Sequence, residues 1–244
     1  MPNAEPVYVE AEIDVNPLRQ NNSYPISISV TRDFLPTSLT AALLTDALSL
    51  HSKGLFDPGG VGGRSSDKQN ESIRQCDICG LFDDKISAVS NIARDELFLE
   101  LGDLREFLNE ELSLELLETM ELQYLKYSDD GGFYGRHVDH NAETQNVEEN
   151  CRAISLLIYL CDEASSEWKE EDGGYLRCYG KNNEQTEIAP HNSTLVLFNS
   201  KLLEHEVLPT HRDRVAIVGW FLSKNENYNQ EEGRKKKKKK RRKN

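Results

Sequence analysis

No stretch of the 244-residue chain comes near the eighteen or so consecutive apolar residues that a membrane-spanning helix needs, so a membrane role of that kind is not expected. The opening Met1-Pro2-Asn3-Ala4-Glu5 lacks the basic start and apolar core of a secretory leader. Cysteine is scarce: five residues, an odd number at irregular spacing, which argues against a disulfide framework and for reduced thiols in the cytoplasm, the nucleus or both. No internal repeat is visible. Positive charge is in short supply in the body of the chain: the formal net charge is −13 even though residues 234–243 are ten consecutive Lys and Arg, so everything before that run is more acidic still. Such a body repels phosphate backbones and anionic lipid surfaces, and a nucleic-acid role is expected only through the tail. Neutral or cationic polypeptides are easier partners. Oligomeric state is not legible.

What is present suits one folded domain with appendages: 37% hydrophobic and 29% charged residues, in a length that supports a single core. Residues 26–30 alternate like a strand, and residues 38–52 place Leu39, Ala42, Leu43, Ala47 and Leu50 at helical spacing. Residues 56–71 concentrate glycine and serine with almost no apolar anchor, the composition of a surface loop that could act as a lid. Residues 83–118 return to helical periodicity. A first helix carries Ile86, Val89, Ile92 and Ala93, and a second carries Leu97, Leu101, Leu104, Leu108 and Leu112, with Gly102 a point of weakness. After Glu121 the pattern becomes short β-type runs at 122–127, 153–160, 175–179, 194–198 and 214–222. Helices first and antiparallel strands afterwards predict an α+β fold, a double-stranded β-helix (jelly-roll, cupin-like barrel) supported by N-terminal helices. The expected divisions are an extension at 1–25, a catalytic domain at 26–223 and a disordered basic tail at 224–244.

His137-Val138-Asp139 is the chemical centre. Residues two apart in a strand share a face, so an imidazole and a carboxylate can reach one point inside a barrel. A third ligand from a distant strand completes a facial arrangement that leaves positions open on iron(II), and His205 is the candidate. An isolated His-x-Asp arises often by chance. The downstream register supports it: nine residues beyond His205, Arg214 opens Arg-Val-Ala-Ile-Val-Gly-Trp-Phe, a strongly β-forming run. By alternation Arg214 shares a face with Ala216, Val218 and Trp220, and an arginine on so apolar a face calls for a buried anion.

These residues resemble the prolyl 4-hydroxylase branch of the 2-oxoglutarate oxygenases, and within it the hypoxia-inducible-factor prolyl hydroxylases and their protist and bacterial relatives. The resemblance runs from about residue 26 to 222. It is carried by Tyr134-Gly135-Arg136-His137-Val138-Asp139, Ile158-Tyr159-Leu160, Gly173-Gly174-Tyr175-Leu176-Arg177, and His205 through Trp220. It implies Fe(II) on His137, Asp139 and His205, with Arg214 on the distal carboxylate of 2-oxoglutarate and Tyr159 donating to the same carboxylate. It places Tyr127 beside the co-substrate, Tyr134 and Trp220 on the wall of the metal pocket, and Arg152 against a substrate peptide. The implied reaction uses O2, and by association ascorbate, to hydroxylate a proline-containing protein, most plausibly at C4, with 2-oxoglutarate converted to succinate; an oxygen-sensing role could follow. Collagen-type relatives use lysine for the distal carboxylate, so Arg214 fits the intracellular branch. Asp139 fits hydroxylation, because halogenating relatives lack a carboxylate there. Two departures bear on the substrate: the family's Ile-Arg-Gly-Asp becomes Ile73-Arg74-Gln75-Cys76-Asp77, and no cysteine-rich zinc domain precedes the catalytic part.

Competing readings stay open. Cys76-Asp77-Ile78-Cys79 has the spacing of half a zinc site without a second half. His140 and His211 neighbour the proposed ligands but fit the register less well. The tail reads as a nuclear localisation signal, a polyanion-binding arm or a quiet solvated end. The chain could also oxidise another side chain or a small molecule, or be a non-catalytic cupin-like binding module.

Overall fold

Two successive structural regimes follow from the hydrophobic pattern, an N-terminal helical layer and a C-terminal pair of antiparallel sheets. The computed structural model describes residues 11–19, 26–60, 72–87, 91–140, 150–162 and 167–225. Strand β1 (Ile28–Thr31) leads into α1 (Thr37–Ser52), followed by the short β2 (Asp57–Pro58), β3 (Arg74–Gln75) and β4 (Asp77–Gly80). A single turn, α2 (Asp84–Ser87), precedes the long α3 (Ile92–Leu112). The remaining strands are β5 (Leu116–Tyr127), β6 (Phe133–His137), β7 (Asn150–Leu160), β8 (Leu176–Tyr179), β9 (Gln185–Ile188), β10 (Leu195–Asn199), β11 (Glu204–Val207) and β12 (Arg214–Lys224).

The helices form where the 3.6-residue pattern puts an apolar stripe toward the sheet. On α1, Leu39, Leu43, Ala47 and Leu50 are buried, and Pro36 sits at the N-cap. On α3, Ala93, Leu97, Leu101, Leu104 and Leu108 form the stripe, and the Asn91 side chain accepts from the Ala93 backbone N–H as N-cap. The helix ends where Ser113 turns left-handed. Gly102 does not interrupt α3, which extends back to Ile92; of the first expected helix only the turn α2 and α3's opening residues exist among the described residues.

The strands build a seven-stranded sheet, β1-β10-β7-β12-β5-β4-β2, and a five-stranded one, β3-β6-β11-β8-β9. Every pairing is antiparallel. At the centre of the larger sheet, β12 buries its first eight residues, as a strand covered on both faces must. Alternation sends its side chains into two cores. Val215, Ile217 and Phe221 join Leu156, Ile158 and Leu160 of β7 against the helices. Ala216, Val218 and Trp220 join Leu157 and Tyr159 on the opposite face, which looks into the smaller sheet. The two sheets enclose this second core as a double-stranded β-helix.

The expected strands appear with altered ends, β5 beginning at Leu116 and β7 at Asn150. Val15, ahead of the first strand, is buried in the helix-side core. Of the glycine-rich segment at 56–71, residues 61–71 lie outside the described residues, as do residues 234–243 of the basic tail. No helix among the described residues is long and apolar enough to cross a membrane.

Candidate active site

His205 of β11 pairs in register with His137 of β6, which brings two imidazoles from distant parts of the sequence onto adjacent strands. Their ring centroids lie 4.3 Å apart. Asp139 joins them by a route the alternation argument did not anticipate. His137 is the last residue of β6, and Asp139 sits in the bend beyond it rather than two places along a continuing strand. Its Oδ1 lies 3.4 Å from His137 Nε2 and 3.7 Å from His205 Nε2. The three ligand atoms fall within 4.8 Å of one another, and no other such cluster of His, Cys, Asp or Glu occurs among the described residues.

Hydrogen bonds fix which atoms are free to bind a cation. His137 Nδ1 donates to the Gly135 carbonyl at 2.8 Å, and His205 Nδ1 donates to the Leu203 carbonyl at 3.1 Å. A carbonyl accepts only, so each Nδ1 carries a proton, and Nε2 is the ring nitrogen left to bind a cation. Ser155 Oγ donates to Asp139 Oδ2 at 2.7 Å and also contacts Ser200 Oγ at 2.8 Å, leaving Oδ1 to face the imidazoles. Burial opposes the charge on Asp139, yet His205, His137 and the Ser155 hydroxyl together hold its carboxyl well below the usual carboxylate range. Burial, reinforced by His137 and opposed by Asp139, pulls the His205 imidazole down to about 4, so it is neutral at pH 7. Two imidazoles and one carboxylate are a donor set suited to a divalent metal such as iron(II). Cys76 and Cys79 are free and belong to no metal-ligating cluster among the described residues.

Aromatic rings wall the cluster. Tyr134 stacks on His137 with centroids 3.7 Å apart, Phe198 lies 4.7 Å from the His205 ring, and the Arg74 guanidinium sits 4.5 Å above Tyr134. Arg152 lies over Trp220 at 3.5 Å and bonds Glu121 and the Asp139 carbonyl. His140 is set apart, its backbone N–H bonded to the Ser200 carbonyl, and His211 donates its backbone N–H to the Asp172 carbonyl.

Deeper in the barrel stands Arg214. It is 1% exposed, and none of its three guanidinium nitrogens has a hydrogen-bond partner among the described residues. Tyr127 and Tyr159 flank it, with ring centroids 5.0 and 4.9 Å from the guanidinium carbon, and the Tyr159 hydroxyl also lacks a hydrogen-bond partner among the described residues. Burial pushes the Tyr159 hydroxyl up to about 12 against the pull of Arg214, so it stays a donor. A buried guanidinium beside an idle phenol, with no carboxylate supplied by the described protein, is a cradle for an anion from outside. The distal carboxylate of a small dicarboxylic acid fits it.

Residues 122–222 match the family model described as the 2OG-Fe(II) oxygenase superfamily. They form a 2OG-Fe(II) oxygenase domain. That class implies Fe(II), 2-oxoglutarate and O2, which agrees with the His-Asp-His cluster and with the unpartnered arginine. Among known proteins the domain is similar to a hypoxia-inducible factor prolyl hydroxylase of Caenorhabditis elegans, 26% identical over 72% of this chain and 24% of the relative. The chain thus spans about a quarter of that relative's length. A Pseudomonas putida prolyl-4-hydroxylase structure superposes with a TM-score of 0.67 at 28% identity, covering 80% of this chain and 92% of that one. A Trichoplax adhaerens prolyl hydroxylase, solved with a hypoxia-inducible factor oxygen degradation domain peptide, shares the fold with a TM-score of 0.67 at 24% identity over 82% and 85% of the two chains. The oxygenase domain is prolyl 4-hydroxylase-like.

Sequence reasoning missed Ser155, Ser200 and Glu121 around the site, and named Arg74 only within the stretch bearing on the substrate. Ser155 carried a usable signal, since it lies two and four residues before Leu157 and Tyr159 on the same face of β7.

Proposed function

We propose that this chain hydroxylates peptidyl-proline at C4, with Fe(II) held by His137, Asp139 and His205 and 2-oxoglutarate held by Arg214. The observation that carries the reading is the fully buried, unpartnered Arg214 guanidinium in the same barrel as the three-ligand cluster. When bound, iron and 2-oxoglutarate supply an oxidant made from O2, with 2-oxoglutarate leaving as succinate and carbon dioxide.

The protein's own contributions follow from the geometry. The two Nδ1–H···O=C bonds and the Ser155 bond orient three donors toward one point before any ligand arrives. Arg214 and the protonated Tyr159 receive the distal carboxylate and so orient the reacting end of the co-substrate toward the metal. Leu157, Val196, Ala216 and Val218 belong to the same buried apolar core as Tyr127 and Tyr159, and that core keeps water away from the Arg214 cradle. The peptidyl-proline reading draws on the named prolyl hydroxylase relatives, one of which was solved with a peptide, and on a body whose negative charge suits a neutral or cationic polypeptide.

The test is oxygen-dependent formation of succinate from 2-oxoglutarate by the iron-loaded chain, lost in His137→Ala, followed by mass spectrometry of proline-containing peptides for the addition of one oxygen atom. Succinate without any modified proline overturns the substrate. No iron-dependent turnover at all overturns the enzyme and leaves a cupin-like binding module.

A further inference from the structure

Strict alternation along β7 puts Arg152 on the same face as Ile154, toward the helices. The structure places it elsewhere. Between β7 and β12 the register runs Trp220 opposite Ser155 and Phe221 opposite Ile154, then shifts so that Leu222 stands opposite Arg152. Ala153 is the extra residue of a β-bulge. Its carbonyl accepts instead from the Ser200 backbone N–H at 3.0 Å. A bulge of this kind re-aims the side chains that follow it, and here it turns a guanidinium onto the face that carries the metal cluster.

Once there, each of the three guanidinium nitrogens of Arg152 makes a bond within the protein. Its Nε donates to Glu121 Oε2 at 3.0 Å, its Nη2 donates to the same oxygen, and its Nη1 reaches the backbone carbonyl of Asp139 at 3.4 Å. Its plane lies over the Trp220 indole at 3.5 Å. Glu121 and Ser155 stand opposite Trp220 on its two neighbouring strands, so Glu121, Trp220 and Ser155 form one row across β5, β12 and β7. Arg152 spans one edge of that row, and Ser155 holds the Asp139 carboxylate from within it. Arg152 is buried, whereas the Glu121 side chain is 44% exposed.

We propose that Arg152 is a positioning residue, a clamp aimed by the bulge and anchored by Glu121 that fixes the Asp139 bend and the Trp220 indole at the edge of the metal site. This rests on the metal-centre reading above. It differs from a substrate contact, because every guanidinium nitrogen already bonds within the protein and the side chain is buried, whereas the more exposed group at this edge is the Glu121 carboxylate.

The experiment is titration of the metal-free full chain with cobalt(II) as a stand-in for iron(II), following the visible absorption of the bound ion, with circular dichroism as the folding control. Arg152→Met is expected to weaken cobalt binding on the order of 10- to 100-fold and to change the absorption envelope, as loss of an outer-shell partner does. Arg152→Lys is expected to behave similarly, since an ammonium cannot donate side by side to Glu121, reach Asp139 and stack at once. Glu121→Ala, at a half-exposed site and with its folding checked by the same circular dichroism, is expected to weaken cobalt binding less, and the double variant Glu121→Ala/Arg152→Met no more than Arg152→Met alone. Wild-type cobalt binding with Glu121→Ala and Arg152→Met both unchanged overturns the clamp alone, and a raised KM for peptide in those variants would then assign Arg152 to substrate. Absence of cobalt binding by the wild-type chain overturns the metal centre, and the clamp with it.

Discussion

The hydroxyl of Ser155 donates to Oδ2 of Asp139 at 2.7 Å, and this one bond decides which carboxylate oxygen is left for a metal. Oδ1 faces both imidazoles, while Oδ2 is held from behind by a serine that also touches Ser200. Ser155→Ala is therefore expected to keep the fold and to lower metal affinity by roughly 10- to 100-fold, the usual effect of losing a group that orients a ligand. Equilibrium metal titration checks this. Unaltered affinity in Ser155→Ala would show that the carboxylate is oriented by other means.

Arg214 makes an unusual stability prediction. A buried cation without an anion is a burden on the unliganded protein, so Arg214→Met is expected to leave the metal-loaded, co-substrate-free chain as stable as wild type or more so, by roughly 1–4 kcal/mol. The same variant is expected to lose the stabilisation that 2-oxoglutarate confers, which for wild type amounts to about 2.7 kcal/mol when the ligand stands at about a hundred times its Kd. Thermal melts with and without 2-oxoglutarate measure both. Strong destabilisation of unliganded Arg214→Met would reveal a partner for the guanidinium within the protein and remove the case for a co-substrate cradle.

Gly174 makes room for that arginine. Its φ is +65°, and a Cβ there would come within 2.8 Å of Thr210 Oγ1 and 3.2 Å of Arg214 Cδ. Gly174→Ala is expected to cost about 1 kcal/mol or more in stability from the backbone alone. Displacement of the arginine stem is expected to weaken 2-oxoglutarate binding by about tenfold, a change of about 1.4 kcal/mol. Calorimetric titration of the metal-loaded chain tests it, and loss of stability with co-substrate affinity intact would confine Gly174 to a turn-forming role.

The parts of the site legible in the sequence were those with a register to follow. His205 and Arg214 lie ahead of and at the start of a β-forming run whose alternation turns Arg214 inward, and the structure puts Arg214 there. The flanking strands were less legible. β6 reads Phe-Tyr-Gly-Arg-His and β11 reads Glu-His-Glu-Val, too short and too polar to stand out, because imidazoles take inward positions that an ordinary strand fills with apolar side chains. The bulge at Ala153 has no mark in Arg-Ala-Ile-Ser, and with it went any chance of placing Arg152 by alternation. Asp139 was associated with His137 for a reason the backbone does not obey, since a bend rather than a strand brings it in.

Alkaline pH separates the folded from the unfolded chain at groups away from the surface. Burial pushes the Cys178 thiol from 9.0 up to about 12, and the Tyr159 hydroxyl from 10.0 up to about 12, the latter against Arg214. Between their ordinary and folded values these groups hold protons in the native state that the unfolded chain has lost. Stability therefore falls as pH rises above about 9, and none of this contribution is lost on the acid side. Urea unfolding midpoints are expected to decline between about pH 8 and about pH 10.5, with a shallower decline in Cys178→Ala. A flat profile would mean that these groups ionise in the folded barrel as they do in water.

Asp46 on α1, Arg94 on α3 and Tyr124 on β5 staple the helical layer to the outer face of the large sheet. Arg94 Nε lies 3.0 Å from Asp46 Oδ2, with both side chains nearly inaccessible, and the Tyr124 hydroxyl donates to the same oxygen at 3.0 Å. Asp46→Ala leaves a guanidinium buried without its anion and is expected to cost about 3–5 kcal/mol, whereas Tyr124→Phe removes one hydrogen bond and is expected to cost about 1 kcal/mol. Replacing both charges in Asp46→Leu/Arg94→Met is expected to recover most of the loss, because well-packed apolar groups carry no desolvation cost. Tyr124 points to the helix side of β5 while Leu125 and Tyr127 point into the barrel, so this staple and the metal cluster lie on opposite faces of one sheet. Asp46→Ala is accordingly expected to bind metal with wild-type affinity at temperatures where it stays folded. A parallel loss of stability and metal affinity would show that the helical layer sets the geometry of the site through the sheet, and that the two cores are not independent.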